Sequence, residues 1–136
     1  MISKSERAYF NAAKAISSMS DHKQKLGCVV VLGHKIVSSG CNSNSRKHKM
    51  QALLDKKEFG SECPGFLHAE TDALLPLIRN NINLQFATIY IYREHKNGEV
   101  GMARPCSRCM KVIKSCGIQK IKYTTDNGYA FEHIKE

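Results

Sequence analysis

The residues able to do chemistry lie in two short stretches, His68-Ala69-Glu70 and, about 35 residues later, Pro105-Cys106-Ser107-Arg108-Cys109. One imidazole and two thiolates supply three ligands for one tetrahedral Zn²⁺ and leave the fourth corner for water. Three protein ligands mark a catalytic zinc, whereas a structural zinc is usually closed by four. Such an ion lowers the pKa of its water to about 7, and Glu70 brings a carboxylate that can move protons beside it. A thioredoxin-like redox pair at Cys106 and Cys109 is the competing reading of the C-x-x-C spacing. It leaves His68 and Glu70 without a role.

These side chains need particular elements to hold them. Cys106 and Cys109, three apart at the start of a helix, present both sulfurs on one face. A helix N-terminus offers free N–H groups and partial positive charge, which favour thiolate. Pro105 stiffens the approach and biases Arg104 toward an extended shape. His68 and Glu70 are only two apart and point to nearly opposite sides of a regular helix. They share one water only if it lies off the helix end. The spacing therefore predicts two helix starts converging on one ion.

The rest of the chain supplies the scaffold. Ser3 and Glu6 form a capping box for a first helix over about Ser5–Met19, with a stripe of Ala8, Ala12, Ala15 and Met19 widened by Tyr9 and Ile16. Gly27–Leu32 and Lys35–Ser39 flank Gly33-His34 and read as a tight hairpin; its first strand is apolar on both faces, as inside a covered sheet. Cys41–Leu67 is polar and irregular, with a short helix over Met50–Lys57. The helix that begins near His68 meets Pro76, which implies a kink or an early stop. Ala87–Tyr92 is a strand, Ser107–Ser115 a helix ended by Gly117, and Ile118–Thr124 a strand. Tyr129–Ile134 returns antiparallel after Asp126-Asn127-Gly128. The order predicts a three-layer α/β/α fold with a mixed central sheet, formed as one domain over residues 1–136.

Composition narrows the partners. Of the 136 residues, 21 are Lys or Arg and 12 are Asp or Glu, a formal charge of +9. That favours an anionic partner: a nucleotide phosphate, a polynucleotide or another acidic surface. No apolar run reaches 18 residues, so no membrane span is expected. The first residues lack the apolar core of a signal peptide. A reducing compartment follows, cytoplasm or nucleus and not a secretory route, and the six cysteines read as metal-binding or buried thiols in preference to disulfides.

With these motifs in hand, the chain resembles the cytidine/deoxycytidylate deaminase superfamily, in the branch whose first ligand is His. The likeness runs from Lys25-Leu26-Gly27 to the strand ending near Tyr123. It implies a cytidine deaminase-like fold, zinc ligands at His68, Cys106 and Cys109, and Glu70 as the proton shuttle. The reaction so implied is hydrolytic: water attacks the ring carbon bearing an exocyclic amine, and ammonia leaves. The backbone N–H of Ala69 is a donor toward the ring carbonyl. The resemblance also implies a sugar contact at Asn42, in Gly40-Cys41-Asn42-Ser43, although the second glycine of the Gly-Tyr-Asn-Gly element of deoxycytidylate deaminases is missing. The hairpin ending departs from the helix and parallel fifth strand of many His-type members.

Three functions stay open on the sequence. The first is deamination of a cytosine nucleotide, with deoxycytidylate the best single choice and a homo-oligomer compatible with it. The second is deamination of cytosine in RNA or single-stranded DNA, favoured by the charge and by the basic cluster Arg46–Lys49. The third is a zinc-stabilised nucleic-acid-binding module, which has no use for Glu70. Arg104 and Arg108 flank the ligands and suit a substrate phosphate. Lys111, Lys114, Lys120 and Lys122 read as a solvated basic surface. Cys28, Cys41 and Cys116 read as core thiols, Cys63 with His48 as a weaker second metal site, and Tyr92 and Tyr123 as core in preference to base-stacking rings.

Overall fold

The computed structural model describes residues 2–45, 51–53, 56 and 67–134. The basic cluster Arg46–Lys49, the Cys63–His48 pairing and most of the short helix expected over Met50–Lys57 lie outside the described residues. Helix α1 (Lys4–Ser17) leads into β1 (Leu26–Leu32) and β2 (Lys35–Cys41), followed by α2 (Ala69–Arg79), β3 (Thr88–Arg93), α3 (Ser107–Ser115), β4 (Lys120–Thr125) and β5 (Gly128–His133). The sheet order is β2-β1-β3-β4-β5. Only β3 and β4 run parallel; the other neighbours are antiparallel. The β1–β2 hairpin turns on Gly33 and His34, both at positive φ (60° and 65°), as a two-residue turn of this hand requires. Gly117, at φ 84°, closes α3 in the left-handed region that a side chain would resist.

Alternation along the strands sorts the core into two layers. Val29, Val31, Tyr90 and Tyr92 face α1, meeting Phe10 and Ala13. Cys28, Val30, Ile89, Ile91, Ile121 and Tyr123 face α2 and α3. Each fully buried aliphatic side chain contributes about 1.5–3 kcal/mol. The three-layer α/β/α arrangement with a mixed sheet is thus as the pattern predicts, and Tyr92 and Tyr123 are core.

The buried face of α1 differs from the expected stripe. It is centred on Phe10, Ala13 and Ser17, while Ala8, Ala15 and Met19 are exposed. Alanines ring this helix, so its own pattern leaves the facing direction loose. Close approach to Gly27 settles it: a Cβ there would meet Ala13 O at 2.0 Å. On the other face α2 sits as closely over Gly40, where a Cβ would meet Ala73 N at 2.5 Å. Two bonds fasten that contact, Ser38 Oγ to Ala73 O at 2.6 Å and Cys41 N to Asp72 Oδ2 at 3.1 Å. The helix runs through Pro76 and ends one turn later at Arg79.

Candidate active site

His68 and Cys106 occupy equivalent places. Each is the N-cap of its helix, with extended backbone (φ −82°, ψ 149° and φ −69°, ψ 170°). An N-cap side chain projects off the helix end, and the N-cap and third helical residues face one another across the first turn. That geometry brings Cys109 to Cys106. Glu70 stands at the second helical position of α2 and is a buried residue, 4% exposed.

Both helix starts are anchored at the end of the sheet where β3 and β4 finish. Thr124, fully buried on β4, accepts from Arg93 N at 3.1 Å and donates to Gly101 O at 2.7 Å. Ala103 N donates to Thr124 O at 2.9 Å. These bonds fix the segment that delivers Pro105 and Cys106. On the other side a Ser43–Leu67 bridge precedes His68, and His68 N donates to the buried Gln51 side chain at 3.3 Å. Thr124 and Gln51 escaped the sequence reading, because nothing local marks a hydroxyl or amide whose partners are distant in the chain.

The donor set fits zinc. His68 Nδ1 lies 3.7 Å from Cys106 Sγ and 3.4 Å from Cys109 Sγ. Ordinary Zn–N and Zn–S lengths place tetrahedral N···S edges at about 3.6 Å. All three ligand atoms lie within 4.8 Å of one another. The thiols are coupled. Cys106 is held down to about 3, first by the hydrogen bond from Cys109 and then by His68, against its own burial. Cys109 is pushed up by donating that bond and by burial. A divalent cation would replace the shared proton and hold both sulfurs as thiolates. Burial raises the Glu70 pKa, as suits a group that must carry a proton near neutrality. Thr71 gives a second sign of fit. Its hydroxyl is wholly buried and lacks a hydrogen-bond partner among the described residues, a state that costs about 1–3 kcal/mol.

The expected substrate contacts fare differently. Ala69 holds the first helical position of α2, where the N–H has no intrahelical acceptor. Arg108 is half-buried on the first turn of α3. Asn42 is 1% exposed, and both ends of its amide are occupied. Its oxygen accepts from Ser20 Oγ at 2.6 Å and Leu26 N at 3.0 Å, and its nitrogen donates to Gln24 O at 2.6 Å. In this arrangement it clamps the segment between α1 and β1. Arg104 has its planar fork on Glu132 of β5, at 2.7 and 3.1 Å, and Tyr123 donates to the same carboxylate at 2.8 Å. Lys122 also departs from the solvated surface expected of it. It makes a 2.6 Å ion pair with Glu6 and lies over the Tyr90 and Phe131 rings.

Comparison with known proteins agrees with fold and site. The family model for the cytidine and deoxycytidylate deaminase zinc-binding region matches residues 3–125, and the chain belongs to that family. It is similar to the apo dCMP deaminase of cyanophage S-TIM5, with 26% identity over 92% of this chain and 86% of that one, at a TM-score of 0.64. Cytidine deaminase from Burkholderia pseudomallei shares the fold at 18% identity, 97% and 93% coverage and a TM-score of 0.65. That from Mycobacterium leprae shares it at 18% identity, 92% and 91% coverage and a TM-score of 0.55. No curated protein sequence matches the chain significantly. The chain is a zinc-dependent deaminase of cytosine nucleotides or nucleosides. Among the described residues no helix is long and apolar enough to cross a membrane.

Proposed function

We propose that the chain converts deoxycytidylate to deoxyuridylate, with His68, Cys106 and Cys109 holding one zinc ion and Glu70 carrying protons. The observation that supports this most is the meeting of those three donor atoms within 4.8 Å, beside the buried Glu70 on the same helix start as His68. When bound, zinc supplies Lewis-acid polarisation of a water molecule. Glu70 would take one proton from the attacking water and pass it to the ring nitrogen, then take the second from the hydroxyl now on the ring carbon and give it to the departing amine. Cytosine thereby gains the water oxygen and loses its amino group as ammonia. The Ala69 N–H, at the positive end of α2, would donate to the ring carbonyl. Arg108, next to Cys109 on the first turn of α3, is the candidate for the phosphate; Arg104 is held by Glu132. The dCMP deaminase from cyanophage S-TIM5, which was also solved with dCMP and dUMP, favours the monophosphate.

Deamination within a polynucleotide is the second reading, and one surface favours it. Lys14, Lys23, Lys25 and Lys96 line a groove of about 280 Å³. It adjoins a smaller one of about 170 Å³ that adds Arg93, the last residue of β3. Zinc-loaded protein incubated with dCMP, CMP, deoxycytidine, cytidine, single-stranded DNA and RNA separates the readings by mass of product. Turnover of dCMP above the nucleosides and polymers is the expected result. Uracil appearing only in a polymer, with binding that falls steeply with salt, would reverse the choice.

A further inference from the structure

Thr71 is the third residue of α2, beside Glu70 and one turn from His68. It belongs to the helix face packed toward α3, and its residue is 0% exposed. Its hydroxyl is the buried side-chain polar atom left without a hydrogen-bond partner among the described residues. A buried hydroxyl without a partner is uncommon and calls for a reason. The acceptor within its reach is the Cys109 sulfur, whose thiol a hydrogen bond from Thr71 helps to hold down, although the hydroxyl is not aligned for a full bond. As a neutral thiol that sulfur is a poor acceptor. As a metal thiolate it carries full acceptor capacity and has already given up its own proton.

We propose that Thr71 is a positioning residue for the metal centre, its hydroxyl donating to the Cys109 sulfur once zinc is bound. The role rests on the zinc reading of the site. A thiol offers the hydroxyl a weak acceptor and a zinc-bound thiolate a charged one, so part of the metal affinity comes from a group that never touches the metal. A second consequence follows from charge. Donation withdraws electron density from one of the two thiolates and leaves the other sulfur the richer. Partners of this kind outside the ligand set commonly govern metal affinity by 10- to 100-fold.

Thr71→Val removes the hydroxyl at nearly constant shape, and Thr71→Ser restores it. Zinc affinity is read by competition with a chromophoric chelator, the sulfur-to-cobalt charge-transfer band in Co²⁺-loaded protein, and thermal midpoints without metal. The expected result is a 10- to 100-fold weaker zinc affinity for Thr71→Val and a band at longer wavelength, because a sulfur without its donor is easier to oxidise. Thr71→Ser should stay near wild type on both. The metal-free midpoint of Thr71→Val should equal or exceed that of wild type, since the unsatisfied group is gone. Unchanged affinity and band in Thr71→Val overturn the proposal, as does a lowered metal-free midpoint, which assigns the residue to packing alone. Wild-type protein that binds no zinc instead overturns the zinc reading itself.

Discussion

Gly40→Ala tests whether the seat of α2 on the sheet sets the geometry of the site. The added Cβ would stand 2.5 Å from Ala73 N and 2.7 Å from Ala69 O, where ordinary contact begins at 3.4 Å. Backbone atoms cannot swing aside, so α2 must retreat by about 0.9 Å, the difference between 3.4 and 2.5. His68 and Glu70 ride on that helix start, while Cys106 and Cys109 stay with α3. A misplacement near 1 Å costs on the order of 10²-fold in rate, and overpacking costs about 1–3 kcal/mol. For 136 residues the unfolding entropy is about 0.29 kcal/mol/K, so the thermal midpoint should fall by roughly 4–10 °C. Gly27→Ala is the matched control. Its Cβ would meet Ala13 O at 2.0 Å, a harder collision, but it displaces α1 on the face that holds no site residue. The assays are ammonia release from a cytosine nucleotide, zinc per chain and thermal unfolding, each read well below the variant's own midpoint. Gly40→Ala should lose about 10²-fold in kcat, while Gly27→Ala melts lower yet turns over near wild type. A Gly40→Ala protein that melts lower but keeps kcat within threefold would refute the claim that this close contact positions the chemistry.

Four further outcomes follow. Glu70→Gln should keep the fold and one zinc per chain but lose ammonia release by at least about 10²-fold; near wild-type turnover removes Glu70 from proton transfer. Stripping zinc with a chelator should lower the thermal midpoint by about 9 °C when free zinc had stood at 100 times its dissociation constant, a stabilisation of about 2.7 kcal/mol, and re-addition should restore it. Glu6 is held at about 2 instead of its ordinary 4.5, first by the Lys122 hydrogen bond and then by the Ser3 backbone. A depressed carboxyl stabilises the fold above its ordinary pKa and loses that contribution as pH falls from about 4.5 through 2. Glu6→Gln should therefore cost about 1–2 kcal/mol at pH 7 after allowance for solvent screening, and nothing near pH 2, as chemical denaturation at the two pH values will tell. Arg108→Ala should raise KM for dCMP at least tenfold while leaving deoxycytidine within about twofold; equal losses on both remove the phosphate role.

The sequence could be read where function depends on local geometry. An N-cap and the third helical residue meet whatever surrounds them, so the Cys106–Cys109 spacing already specified a pair of converging sulfurs. The Ser3–Glu6 capping box, observed in full, and Gly117 were legible for the same reason. Legibility ended where a side chain had a choice among distant partners. Arg104 carries the right group for phosphate, but an acid 28 positions later on β5 reaches it first. Lys122 looks solvated along its own strand, yet its strand register places it against Glu6, 116 positions away. The α1 stripe failed differently, since several of its faces carry alanines and the glycine that chooses among them lies on β1.

The same distinction explains why the site is robust in one respect and fragile in another. The two helix starts bring partial positive charge toward one point, which lowers the cost of gathering two sulfurs and a carboxyl there before any metal arrives. That contribution belongs to the backbone and survives most substitutions. The distance between the helix starts is set separately, by Gly40 beneath α2 and by Thr124 at the root of the segment leading to α3. Neither residue touches the ligand atoms. A change at either one should leave every ligand present and the helices intact, while the tetrahedral edges near 3.6 Å are lost. Loss of metal with every ligand residue and both helices retained is therefore the mark of a positioning defect in this chain.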